Sequence, residues 1–146
     1  MPPRIVIIDT QSLLDWLAFR NPVCAGWNQR LSNSSWMWVF TIDMQSEFEH
    51  VLGRGFGPRW DLSGVAGQAP WSRCGHLRPA APSCAGPGGL RCTDPDDQKF
   101  LDLAVAEQPC HLVSRDKALL RLARRARERH AVQICTPVQW NAQASG

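Results

Sequence analysis

The chain has 146 residues, of which 44% are apolar and 20% charged. That is enough to bury a sizeable core, so one domain spanning 1–146 is expected. No run approaches the roughly 18 apolar residues that a membrane-spanning helix requires. The formal net charge of +3 is too small to mark a nucleic-acid binder by itself.

Ile5 to Ile8 is an apolar run closed directly by Asp9. It is too short for a secretory signal, so a cytoplasmic location with no membrane partner is expected. Arg4–Ile8 is β-branched and does not alternate, which predicts a strand buried on both faces, as in a parallel sheet. Thr10 or Ser12 is expected to cap the helix that follows, with Leu13, Leu14 and Leu17 on its apolar face. Asn21-Pro22 predicts a second helix, ending near Leu31. Trp36–Thr41 is the second strand, and Asp43 is expected to cap a helix whose Met44, Phe48, Val51 and Leu52 share one face.

The pattern then fails. The segment 53–91 holds nine of the eleven glycines and has prolines scattered through it. It shows neither helical nor strand periodicity, although a loop of that length is unusual in a compact domain. Order returns at Asp94-Pro95, a cap and first-turn proline that predict a helix burying Phe100, Leu101, Ala104 and Val105. His111–Ser114 is a short strand. Asp116 to about Arg129 reads as a helix burying Leu119, Leu120, Leu122 and Ala123. Val132–Cys135 is a last strand, closed by Pro137. Strands alternating with helices imply a mostly parallel sheet with helices on both faces.

Six cysteines are present, with no CxxC pair, and reduced thiols are expected. The set Cys74, His76, Cys84 and Cys92 fits no standard zinc spacing. Lys117, Arg121, Arg124, Arg125, Arg127 and Arg129 fall within thirteen residues. They read as a solvated helix face, with a phosphate track or a protein contact as the alternative. Of the seven tryptophans, Trp16, Trp36, Trp38 and Trp140 lie in patterned segments and are expected in the core or on a dimer surface.

Four carboxylates carry the chemistry. Asp9 closes the first strand and Asp116 follows the strand at 111–114, so both belong on the carboxyl edge of a parallel sheet, where ligands bind. Glu47 and Asp97 lie in the first turns of helices that start at the same edge. Two carboxylates about 5 Å apart repel by roughly 3 kcal/mol at an effective dielectric of about 20. A cluster therefore needs protons or a cation, and an all-oxygen donor set suits Mg²⁺ or Mn²⁺. Each acid also has a plainer reading. Asp9, Asp94 and Asp116 can serve as helix caps, Asp97 can complete a capping arrangement, and Glu47 can be a solvated helix residue.

Several stretches of the sequence resemble the PIN-domain family, particularly its toxin components of bacterial toxin–antitoxin pairs. Ile5-Val6-Ile7-Ile8-Asp9-Thr10 resembles the opening strand and first acid, and Glu47–Leu52 the second motif. Asp94–Ala104 is similar to the third motif, with Asp97 as the acid. Leu112–Leu120 is similar to the fourth, with Asp116 as the acid and Ser114 as a hydroxyl neighbour. Gln11 stands where the family usually has asparagine, and 53–90 departs from the helices the family places there.

The resemblance implies a three-layer α/β/α sandwich with a five-stranded parallel sheet. It implies a ribonuclease dependent on Mg²⁺ or Mn²⁺, with Asp9, Glu47, Asp97 and Asp116 as the catalytic and metal-binding set, Glu47 either binding a metal or orienting the attacking water. Thr10 and Ser114 would support them. Apart from the resemblance, the position of Arg115 beside Asp116 suits it to meet a phosphate. The implied partners are an RNA substrate, a cognate antitoxin and a second copy of the chain. A phosphatase of the haloacid dehalogenase type would need an aspartate at position 11. A receiver domain would need an acidic pair where only Asp9 stands. The remaining alternative is a degenerate PIN module that binds RNA or an antitoxin without cutting.

Overall fold

The structure is a computed structural model describing residues 2–55 and 71–144. Five strands form one all-parallel sheet: β1 (Arg4–Ile8), β2 (Trp36–Phe40), β3 (Gly75–Leu77), β4 (Cys110–Val113) and β5 (Val132–Cys135). Their order is β3-β2-β1-β4-β5, and helices cover both faces. Val6, Ile7 and Ile8 are fully buried or nearly so, which is why β1 shows no alternation. Its register sets Val6 beside Trp38 on one side and Ile8 beside Val113 on the other.

This order makes β1 the point where the chain reverses direction across the sheet. It runs outward through β2 to β3, returns to β4 on the other side of β1, and continues to β5. A crevice opens at the carboxyl ends of the two strands flanking such a reversal. Here those ends carry Asp9, after β1, and Ser114 to Asp116, after β4.

Between the strands lie α1 (Thr10–Leu17), α2 (Trp27–Ser32), α3 (Ile42–Arg54), α4 (Trp71–Cys74), α5 (Gln98–Ala106), α6 (Lys117–Leu120) and α7 (Ala123–His130), and α8 (Pro137–Ala144) follows β5. Several boundaries differ from the expected ones. The cap of α1 is Asp9, not Thr10 or Ser12. Asp9 has an extended backbone (φ −72°, ψ 169°), and its carboxylate accepts from the Ser12 amide, as a side chain at that position can. Thr41, not Asp43, caps α3 through its hydroxyl. Asp43 lies in the first turn, where its charge suits the positive end of the helix.

The segment from Asn21 is a 3₁₀ turn (Pro22–Cys24) followed by α2, not one helix. Asp94 caps a 3₁₀ turn (Pro95–Asp97) ahead of α5. The helix expected from Asp116 to Arg129 breaks between α6 and α7, where the Leu122 amide bonds the Leu119 carbonyl three residues back, at 3.0 Å. That tighter turn redirects the chain. Leu119 and Ala126 take the core positions, while Leu120, Leu122 and Ala123 are only partly buried.

The fifth strand, β3, comes from the segment where the sequence pattern fails. It has three residues at the sheet edge, with His76 and Leu77 exposed, so it has no buried face to generate a periodicity.

Five tryptophans join the layers. Trp16, Trp27, Trp36, Trp38 and Trp140 are all buried. Trp27 meets Trp140 edge-on at 5.1 Å between centroids, and Trp140 meets Trp36 at 5.4 Å. Trp16 bridges Trp27 at 5.8 Å and Trp38 at 5.6 Å. The Trp27 indole N–H donates to Asn141 at 2.8 Å, and the Arg30 guanidinium donates to the same oxygen at 2.9 Å. Trp60 lies outside the described residues. Among the described residues no helix is long and apolar enough to cross a membrane.

Candidate metal centre

A cleft of about 830 Å³ opens at the reversal point, lined by Asp9, Thr10, Gln11, Glu47, Asp94, Asp97, Arg115 and Asp116 among others. All four sequence-predicted acids therefore face one space. Within it, Asp94, Asp97 and Asp116 each offer a carboxylate oxygen within 4.8 Å of the other two. The tight group thus includes Asp94, which the sequence suggested only as a cap. It caps as well, accepting from the Asp96 amide at 3.0 Å.

Asp9 forms the floor of the cleft. It is 4% exposed, with one oxygen accepting from the Ser12 amide at 2.9 Å and the other from the Ser114 hydroxyl at 2.6 Å. Burial pushes its carboxyl up, the serine hydrogen bonds oppose that, and the charge of Asp116 adds to it. Ser114 Oγ also accepts from the Asp116 amide at 2.9 Å. One hydroxyl thereby fixes both the first and the last acid of the set. Asp116 spends one oxygen on capping α6, accepting from the Ala118 amide at 2.7 Å. A carboxylate has about four acceptor positions, so capping leaves lone pairs free for a cation. The plain and the functional readings hold together for Asp9, Asp94 and Asp116.

Asp97 carries the electrostatic signature. Its carboxyl is pushed up from 3.8 to about 7, first by burial and then by the charges of Asp116, Asp94 and Asp9, with Lys99 opposing. Carboxylates held this close favour protonation or a cation. The donor set is all oxygen, with no thiolate or imidazole in the group, and this fits a hard divalent ion such as Mg²⁺ or Mn²⁺.

Glu47 is placed differently. Its Oε1 accepts from the Thr10 hydroxyl. Its Oε2 takes the Lys99 ammonium at 2.5 Å. It lines the cleft but lies outside the tight group.

Arg115 stands at the rim, half-exposed, with its guanidinium on the buried Asp15. Nε donates to Oδ2 at 2.9 Å and a terminal nitrogen donates to Oδ1 at 3.2 Å. Gln11 also donates to Asp15, at 3.2 Å. Gln11, the departure from the family's usual asparagine, therefore braces this arginine's partner.

Sequence reasoning missed Lys99 and Asp15. The signal for Asp15 was an acid set among Leu13, Leu14 and Trp16, where an unpaired charge is costly. Lys99 closes the run Asp94-Pro95-Asp96-Asp97-Gln98, and only the fold shows that it turns toward Glu47.

Among the described residues no second group of this kind occurs, so Cys74, His76, Cys84 and Cys92 do not assemble a zinc site. All six cysteines are free. Burial pushes Cys24, Cys110 and Cys135 up to about 12, which leaves them as thiols and not nucleophilic thiolates near neutral pH.

A family model described as PIN domain matches residues 5–118. The chain belongs to the PIN-domain family. No curated protein and no solved structure matches the chain significantly. PIN domains are generally nucleases and typically bind a divalent metal. In this PIN domain the acids at the carboxyl edge of the sheet are the groups that fit such an ion.

Proposed function

We propose that this PIN domain is an endoribonuclease that hydrolyses RNA phosphodiester bonds with a divalent cation, Mg²⁺ or Mn²⁺. The observation that carries the reading is the convergence of Asp94, Asp97 and Asp116 within 4.8 Å, above a buried Asp9 at the reversal point of the sheet. Asp94, Asp97 and Asp116 hold the ion, and Asp9 supplies charge from behind. When bound, such an ion acts as a Lewis acid on the phosphoryl oxygen and lowers the pKa of a coordinated water.

The protein's own groups do the rest. Ser114 keeps Asp9 and the Asp116 backbone in register. Thr10 orients Glu47. Arg115, pre-set by Asp15, presents its remaining N–H groups to a phosphate at the rim, where a guanidinium fork pairs well with phosphate oxygens.

The biological role we propose is the toxin of a toxin–antitoxin pair, acting in the cytoplasm as a single domain, with a small antitoxin protein that covers the cleft and a second copy of the chain as a further partner. The resemblance of the four motifs supports that role. The second reading is a PIN module that binds RNA without cutting. What favours it is Glu47, whose charge is already met by the Lys99 ammonium.

The test is incubation of the purified protein with mixed RNA in Mn²⁺, in Mg²⁺ and in EDTA, beside Asp9→Asn. Asparagine caps a helix as well as aspartate does, so the variant keeps the α1 cap and loses one charge. Cutting that needs the metal and disappears in Asp9→Asn is the expected result. A folded wild-type protein that leaves RNA intact in every condition would select the binding module.

A further inference from the structure

Lys99 lies among ligands of the kind a hard cation takes. Its ammonium meets Glu47 Oε2 at 2.5 Å and the Asp96 carbonyl oxygen, and it stands 5.1 Å from the centroid of the Phe100 ring. The pair is mostly buried, with side-chain exposures of 25% for Lys99 and 29% for Glu47. The other Glu47 oxygen is held by Thr10. Glu47 is therefore held at both oxygens and its charge is met by an ammonium, while Asp94, Asp97 and Asp116 close on one another in the same cleft with no cationic side chain in that group. Carboxylate and carbonyl oxygens around one positive charge form the environment of a bound divalent ion.

We propose that Lys99 takes the place of a second cation. On this proposal the cleft holds one metal ion, at Asp94, Asp97 and Asp116, and Glu47 is the counter-charge of a built-in ammonium and not a metal ligand. This inference rests on the metal-dependent reading above. It revises one role that the family resemblance implies, that of Glu47 as a metal-binding residue.

Mn²⁺ titration followed by the electron paramagnetic resonance of the free ion tests it. The wild type should bind about one ion per chain, and Lys99→Met should bind about two, because the freed Glu47 completes a second oxygen site. Lys99→Arg keeps the charge and should stay at about one. Glu47→Gln in the wild-type background should leave the first ion's affinity within about twofold, whereas a true ligand would lose roughly tenfold or more. This last variant decides the matter if Lys99→Met fails to fold. About two ions in the wild type, an unchanged stoichiometry in folded Lys99→Met, or a large loss of affinity in Glu47→Gln would each overturn the proposal. No binding at all by the wild type would instead remove the metal-nuclease reading, and this inference with it.

Discussion

Asp97 sits in the field of three other carboxylates, and its stability effect has a definite sign. Its carboxyl titrates at about 7 in the folded chain, against 3.8 as the ordinary value. The folded state thus holds the proton more tightly than the unfolded one. The group's favourable contribution is present at low pH and is lost as pH rises from about 4 to about 7. Asp9 is raised as well, by burial, and acts in the same direction. Without metal, Asp97→Asn should therefore raise stability at about pH 8 by about 1 kcal/mol, a figure discounted for solvent screening at a partly exposed group. It should change little below about pH 4.5. Urea midpoints in EDTA at the two pH values check this. Cleavage by the same variant should be lost, and a clear destabilisation at both pH values would make Asp97 a structural residue. At this scale much of the site was legible. The strand-end and helix-start positions of Asp9, Asp94, Asp97 and Asp116 follow from apolar runs and caps. The pairing of Lys99 with Glu47 was not legible, because it spans 52 positions in sequence and depends on how α3 and α5 meet.

The helices show where local signals suffice and where packing decides. β1 and β2 announce themselves through unbroken apolar runs, and α5 through the cap at Asp94. The break between α6 and α7 has no sequence marker, since Leu120-Arg121-Leu122-Ala123 contains neither glycine nor proline. Leu119 and Ala126 are buried on either side of it, and the tighter turn between them shows in the Leu122 amide bonding the Leu119 carbonyl. α8 joins the layers through Trp140, which is wholly buried against Trp27 and Trp36 and carries the Arg30 guanidinium 4.9 Å from its ring. Trp140→Ala should cost about 3–5 kcal/mol, read as a lower denaturation midpoint with an unchanged slope against denaturant. A loss well under about 1 kcal/mol would show that α8 is peripheral to the core. The arginines of α7 belong to the same scale. Arg124 pairs with Glu128 at 3.1 Å on a largely exposed face, and a pair of this kind contributes only about 0.3–0.5 kcal/mol.

The whole molecule places its acids by topology. The sheet reverses direction at β1, and this brings together acids that are 107 positions apart in sequence, Asp9 and Asp116. Alternating strands and helices made the parallel sheet legible. The edge strand β3 was not, because three residues with no buried face carry no periodic signal. A cation at the cleft would bind only the folded chain, so Mn²⁺ at about a hundred times its dissociation constant should add about 2.7 kcal/mol. The midpoint of thermal unfolding should then rise by several degrees. The rise should be larger at about pH 8 than at about pH 5.5, because the acids must lose protons to bind. A rise of equal size in Asp97→Asn would place the ion elsewhere. The most direct measurement of the central claim is the chemistry of the cut RNA ends. A water activated at these carboxylates hydrolyses the phosphodiester without using the neighbouring 2′-hydroxyl. The account predicts a hydroxyl on one new end and a plain phosphate on the other, produced with Mn²⁺ and not in EDTA. Ends carrying a 2′,3′-cyclic phosphate, formed equally well in EDTA, would contradict it.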